Sequence, residues 1–237
     1  MKKAIIIGST SGIGLALGCK LLTEGWQVGF TGRRAGILEE ISVRYSGAAF
    51  TEKLDVTNSD MPEKIIGTLI DKMEGCDLIV VSSGVGHINS ELAIAPELAT
   101  IDVNVVGFTH VALAAAKYFI SQGHGHLVVI SSIAANRGDS GAPAYGATKA
   151  YQSTYAQALR KVTAKSSPSI TVTDIQPGFV DTEMVQGDVF WLQSIDKATN
   201  QIFMAINRRC RKVYITRRWR FIAWFMRHMP DFMWHKL

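Results

Sequence analysis

Gly8-Ser9-Thr10-Ser11-Gly12-Ile13-Gly14 decides how the rest of this chain is read. The run follows the apolar stretch 4–7 directly and leads into 13–24, where apolar residues recur at helical spacing. Strand, glycine-rich turn and helix thus stand in the order of a βαβ unit. In that order each glycine has its own task. Gly8 permits the tight turn, Gly12 lets the backbone approach an anion, and Gly14 lets the helix pack closely, while Thr10, Ser11 and Ile13 place free N–H groups at the helix N-terminus. The spacing is GxxxGxG, not the commoner GxGxxG. A turn of this kind is in isolation also compatible with a mere tight connection; its place inside an N-terminal βαβ unit points to a dinucleotide pyrophosphate.

Outward from the turn, the same rhythm continues along 237 residues. Strand-like runs at 4–7, 27–31, 48–54, 78–81, 127–130, 170–175 and 212–215 alternate with helical patterns at 13–24, 35–45, 61–73, 96–120, 145–164 and 195–207. Most of the strands are continuous apolar runs, as strands covered on both faces must be. The pattern predicts one α/β domain over residues 1–216, a Rossmann-like, doubly wound, mostly parallel sheet of about seven strands with helices on both faces. Two less regular segments, 82–95 and 179–194, follow strand C-termini, where an open α/β sheet places its ligands.

The second strand ends Phe30-Thr31-Gly32-Arg33-Arg34. A site for NAD would set an acid there to accept from the ribose 2′-hydroxyl. Here Gly32 stands at that point and two arginines follow, so a 2′-phosphate paired with Arg33, and with it NADP(H), is favoured over NAD(H). The bland alternative, that Arg33 and Arg34 only solvate a helix N-terminus, is weakened because the helix dipole disfavours cations there. After the third strand, Asp55 in Leu54-Asp55-Val56-Thr57 can hold an adenine amino group or serve simply as a turn residue.

Tyr145 and Lys149 lie four apart on a predicted helix, so both side chains share a face. A phenol is a poor acid-base catalyst at neutral pH, and a neighbouring ammonium that favours phenolate brings it closer to the useful range. A Tyr and a Lys four apart also occur by chance on many helices, so the surroundings decide.

With GSTSGIG at 8–14, LDVT at 54–57, NVVG at 104–107, ISS at 130–132, YGATK at 145–149 and PGFVDT at 177–182, all in register, the sequence resembles the short-chain dehydrogenase/reductase family to about residue 215. The resemblance implies an oxidoreductase that moves hydride between NADP(H) and a carbonyl or alcohol. It implies that Ser132 binds the carbonyl oxygen, Tyr145 is the acid-base group, Lys149 holds the nicotinamide ribose and lowers the tyrosine pKa, and Asn104 supports a water linked to Lys149. It further implies cofactor contacts from Asp55, Val56, Ser83, Gly84, Pro177, Gly178, Val180 and Thr182, and a homodimer or homotetramer built on the helices 96–120 and 145–164. Ser131 is the rival for the serine role; the thirteen-residue spacing to Tyr145 favours Ser132.

Two departures from the family pattern stand out. VSSG at 81–84 replaces the usual NNAG, so Ser82 and Ser83 must bond differently, or the strand end is looser. Ser11 occupies the place where many NADP-preferring relatives carry a basic residue, leaving Arg33 with most of the preference. His87 in the following loop reads as an ordinary polar loop residue.

The rest of the chain narrows the class. A composition 47% hydrophobic and 19% charged excludes a disordered protein. Cys19, Cys76 and Cys210 make no metal or disulfide spacing, which fits a reducing cytoplasm, and the apolar run after Lys3 breaks too soon for a signal peptide. No metal site is expected, and no 18-residue apolar run is present to span a membrane. The net charge of +5 is concentrated in the tail, where Arg208 to Lys236 includes nine basic residues against Asp231. In 217–237, Trp219, Ile222, Ala223, Met226 and Met229 follow helical spacing, which predicts a C-terminal helix packed on the same domain; the alternative is a basic amphipathic helix on a membrane surface, and nucleic acid is disfavoured. The loop with Phe179, Met184, Val189, Phe190, Trp191 and Leu192 predicts an apolar substrate. The competing readings are a non-catalytic NADP(H) sensor or scaffold, and a membrane-surface reductase of lipid ketones.

Overall fold

The structure, a computed structural model, describes residues 1–185 and 189–234. The apolar runs become β1 (Lys3–Ile7), β2 (Gln27–Gly32), β3 (Ala49–Lys53), β4 (Leu78–Val81), β5 (Gly125–Ile130), β6 (Ile170–Pro177) and β7 (Lys212–Ile215). Among the described residues they form one seven-stranded sheet in the order β3-β2-β1-β4-β5-β6-β7. Every pairing is parallel, where the sequence predicted a mostly parallel sheet. The strand order reverses between β1 and β4, which opens a crevice at their C-terminal ends.

The helices are α1 (Gly12–Thr23), α2 (Ala35–Arg44), α3 (Met61–Met73), α4 (Ile94–Ile101), α5 (Phe108–Gln122), α6 (Pro143–Ser166), α7 (Ile195–Asn207), α8 (Trp219–His228) and α9 (Asp231–Trp234). Successive strand residues point to opposite faces. Ile5 and Ile7 therefore join Ile79, Val129, Leu69, Phe108 and Phe119 in one core layer, whereas Ile6 joins Val80, Val128, Leu17, Leu38 and Ile202 in the other. Strands apolar on both faces are explained by this double covering.

The predicted helix 96–120 departs most from expectation. α4 and α5 are joined by a wide-turned π segment, Asp102–Gly107. A methyl on Gly107 would come within 2.7 Å of the Val56 carbonyl oxygen, so the glycine permits the close approach to the end of β3. The whole stretch Ile94–Gln122 is long and apolar enough to cross a membrane by length and composition, although no unbroken apolar run marks it in the sequence; its Phe108, Val111, Ala115 and Phe119 are buried in the core.

The chain then closes over the far edge of the sheet. α8 turns Trp219 and Ala223 inward, with Ile222 and Met226 beside them, against Ile133, Phe179 and Tyr214. Arg137 donates to the Met226 and Met229 carbonyls at 3.2 and 2.9 Å, satisfying acceptors that the end of α8 leaves free.

Candidate active site

The glycine-rich turn joins β1 to α1 as its sequence requires. Gly8 and Gly12 have φ of 82° and 53°, a region closed to most side chains, and a methyl on Gly14 would lie 2.1 Å from the Gly8 carbonyl oxygen. Ile13 packs partly into the core beside Leu17. Thr182, after β6, faces the turn: its methyl would be 3.5 Å from a Cβ on Gly12. Ser83 lies across from Gly8, and its hydroxyl is buried without a hydrogen-bond partner among the described residues. Ser82 bonds through its backbone N–H to the Ile7 carbonyl at 2.9 Å, so the strand end is tied to β1 despite the absent asparagines.

At the end of β2, Thr10 fills the space in which a side chain on Gly32 would point: a Cβ there would be 2.7 Å from its hydroxyl. An acid there, as an NAD site would use, would require Thr10 to turn aside. Arg33 is exposed beyond it. Arg34 reaches back, donating to the Ser11 hydroxyl at 2.6 Å and to Glu183 at 3.1 Å. A cation thus stands over Ser11 after all, supplied from the next loop. Asp55 accepts from the Thr57 N–H and hydroxyl at 3.0 and 2.8 Å, the turn geometry weighed for it above. Burial pushes its carboxyl up, but the two Thr57 bonds and the Arg33 charge outweigh this and hold it below the usual value. The Val56 side chain is committed to the core.

Ser132, Tyr145 and Lys149 meet where β4, β5 and α6 converge. Ser132, capping a 3₁₀ turn at Ile133–Asn136, accepts from the Ala134 N–H at 3.1 Å. Tyr145 lies close enough for this hydroxyl to favour its phenolate. Ser131 points away and donates to Asp174 and the Ile175 carbonyl, which removes it from the cleft. Gly84 and Gly86 crowd the same centre: a Cβ on Gly84 would be 3.1 Å from Lys149 Nζ, and one on Gly86 would be 2.8 Å from the Tyr145 ring. Asn104 Oδ1 accepts from the Val85 N–H at 2.9 Å, while its Nδ2 donates to the Val85 carbonyl and Thr148 hydroxyl at 2.8 and 3.0 Å. His87 is exposed on that loop.

Burial dominates at both Tyr145 and Lys149. Burial pushes the phenol above its ordinary value, opposed by the Ser132 hydrogen bond. Burial likewise drives Lys149 down to about 8, with the Asp174 carboxylate opposing. Lys149 Nζ sits 5.7 Å from the Tyr145 ring centroid and donates to the Ile130 carbonyl at 3.2 Å and Gln152 Oε1 at 3.0 Å.

Gln152 was not foreseen. Its Nε2 donates to the Asn104 main-chain carbonyl at 2.9 Å, so one carboxamide spans Asn104 and Lys149. An amide placed one turn beyond Lys149 on a buried helix face was the available signal. Asp174 was also missed, although a carboxylate inside an apolar strand run is itself conspicuous; it accepts from Ser131, Ser153 and Gln176.

Beyond Pro177, the Gly178 N–H bonds to the Ile215 carbonyl at 2.6 Å, and a Cβ on Gly178 would strike the Trp219 ring at 2.1 Å. Val180 is buried and bridges to Gln193. The predicted substrate loop 179–194 is described except at 186–188; there Phe190 and Trp191 pack on Trp219 with centroids 5.4 and 5.9 Å apart.

The short chain dehydrogenase family profile matches residues 2–192, spanning the turn, the Ser132–Tyr145–Lys149 cluster and Thr182. The chain belongs to the short-chain dehydrogenase family. Serine 3-dehydrogenase of Agrobacterium fabrum is 32% identical over 185 residues, covering 76% of this chain and 72% of that protein. Among solved structures, the closed form of serine dehydrogenase complexed with NADP+ superposes with a TM-score of 0.78 at 23% identity, over 86% of this chain and 88% of the other. A 3-ketoacyl-(acyl-carrier-protein) reductase from Brucella melitensis complexed with NADH gives 0.82 at 19%, over 91% and 98%. Of this short-chain dehydrogenase, the α7–β7 unit and the helices α8 and α9 lie beyond the family match.

Proposed function

We propose that this short-chain dehydrogenase reduces an apolar ketone or aldehyde with NADPH, or runs the reverse reaction on the alcohol. The observation that carries the reading is the convergence of Ser132, Tyr145 and Lys149 at the mouth of a crevice that begins at the glycine-rich turn. The residues present fit the nucleotide. The Gly12–Thr182 gap and the unpartnered Ser83 hydroxyl line its path, and Gly32 with Arg33 and Arg34 supports NADP(H) over NAD(H). When bound, the cofactor supplies hydride.

The protein's own groups do the rest. Ser132 donates toward the carbonyl oxygen of the substrate, and Tyr145, kept protonated by its raised pKa, gives its proton to that oxygen as negative charge develops. Lys149 orients the ribose and holds positive charge beside the phenol. Asn104 fixes the loop carrying Gly84 and Val85. Exposed Phe190, Trp191 and Leu192, in the segment that follows the C-terminal end of β6, offer apolar surface, which favours a hydrophobic substrate over a sugar.

Further assignments belong to the same proposal. Residues 1–216 form the catalytic unit and 217–237 its C-terminal extension. Exposed Leu113 and Ile120 on α5 and Val162 on α6 support a homodimer or homotetramer through these helices. Three free cysteines fit a reducing cytoplasm.

The test is NADPH oxidation against a panel of ketones and aldehydes, repeated with NADH. Tyr145→Phe is expected to lower turnover by about a hundredfold or more while leaving NADPH binding intact. Cofactor binding without turnover across the panel would replace the reading with a non-catalytic NADP(H) sensor.

A further inference from the structure

α8 has two opposite faces. Trp219, Ile222, Ala223 and Met226 point inward. Phe221, Trp224 and Phe225, at helical spacing on the other side, are 74%, 63% and 49% exposed, and Phe232 on α9 continues the surface at 68%. Side chains of this size are ordinarily covered, and a contiguous apolar patch marks an interaction surface. Exposed Arg217, Arg218, Arg220 and Arg227 surround it. Asp231 is the acid among residues 217–234, and its carboxylate is paired with Arg137.

The patch joins the loop over the active site. Arg218 lies 4.9 Å from the Trp191 ring centroid and donates to its carbonyl at 3.1 Å, placing exposed Trp191 and its neighbours Phe190 and Leu192 next to the start of α8.

We propose that this face docks on an anionic lipid bilayer, with α8 lying along the headgroup region, its outer rings among the upper acyl chains and its arginines on lipid phosphates. Charge decides the occupant. Two copies of the chain meeting symmetrically through this face would bring the same arginines against each other, whereas an anionic membrane neutralises them and takes up the aromatic rings together. The proposal does not rest on the reductase reading, since binding is measured without turnover.

The experiment is flotation of the full chain with vesicles of phosphatidylcholine alone and of equal parts phosphatidylcholine and phosphatidylglycerol. The wild type is expected to float with the anionic vesicles, to stay behind with the neutral ones and to be released by salt. Arg217→Gln and Arg220→Gln should each weaken binding roughly fivefold, and the pair Phe221→Ser with Trp224→Ser at least about tenfold, with thermal melting of the arginine variants unchanged. Equal recovery with both vesicle types, or wild-type affinity in the folded arginine variants, would overturn the proposal. So would sedimentation showing that the aromatic variants dissociate an oligomer while the wild type ignores vesicles, which would assign the face to a second copy of the chain.

Discussion

Lys149 loses its proton near the neutral range because burial holds its pKa at about 8, below the ordinary 10.5, whereas Tyr145 is pushed up and keeps its own. Reductive kcat/KM is therefore expected to fall as pH rises through about 8, as positive charge beside the phenol disappears. The Gln152 carbonyl oxygen stabilises the ammonium form. Gln152→Leu should lower the Lys149 pKa and move that alkaline limb to lower pH; Gln152→Glu should move it higher. A purely structural role would lower kcat and leave the limb in place. Arg33→Ala and Arg34→Ala are each expected to raise the KM for NADPH about tenfold with little change for NADH, as steady-state kinetics with both cofactors will show. At this scale, the nearness of Tyr145 to Lys149 and to the end of β5 was legible from the four-residue helical spacing and the family resemblance of their motifs. Gln152 and the Arg34–Ser11 contact were not, because each joins residues by side-chain reach, which linear order does not record.

Among the elements, the strands and the first helices were readable because burial on both faces forces continuous apolar runs. The π segment at Asp102–Gly107 was not, since its widening is set by a tertiary approach to Val56 and not by local propensity. α8 depends likewise on tertiary packing. Its buried anchor, Trp219 at 2% exposure, fills the space beside Gly178 and supports Phe190 and Trp191. Trp219→Ala is expected to destabilise the fold by about 3 kcal/mol, a fall in Tm of roughly 6–12 °C, and to raise the substrate KM as the loop loses its support. Thermal melts paired with kinetics on the same preparation check both effects.

For the whole molecule, acid stability turns on a histidine far from the chemistry. His126 on β5 is buried and bonded to the Thr173 hydroxyl at 2.8 Å, and burial, aided by Arg209, drives its pKa down to about 3 from 6.5. The unfolded chain takes up that proton below 6.5 and the folded one does not. Stability from this group is therefore present above pH 6.5 and is lost as pH falls toward 3. His126→Asn should flatten the dependence of the urea midpoint on pH across this window; an unchanged slope would remove His126 from the account. The Gln152 bridge has a consequence at the same scale. With its oxygen on Lys149 and its nitrogen on the Asn104 carbonyl, one carboxamide fastens α6 to the π segment, so a shift of either element would be felt at the lysine.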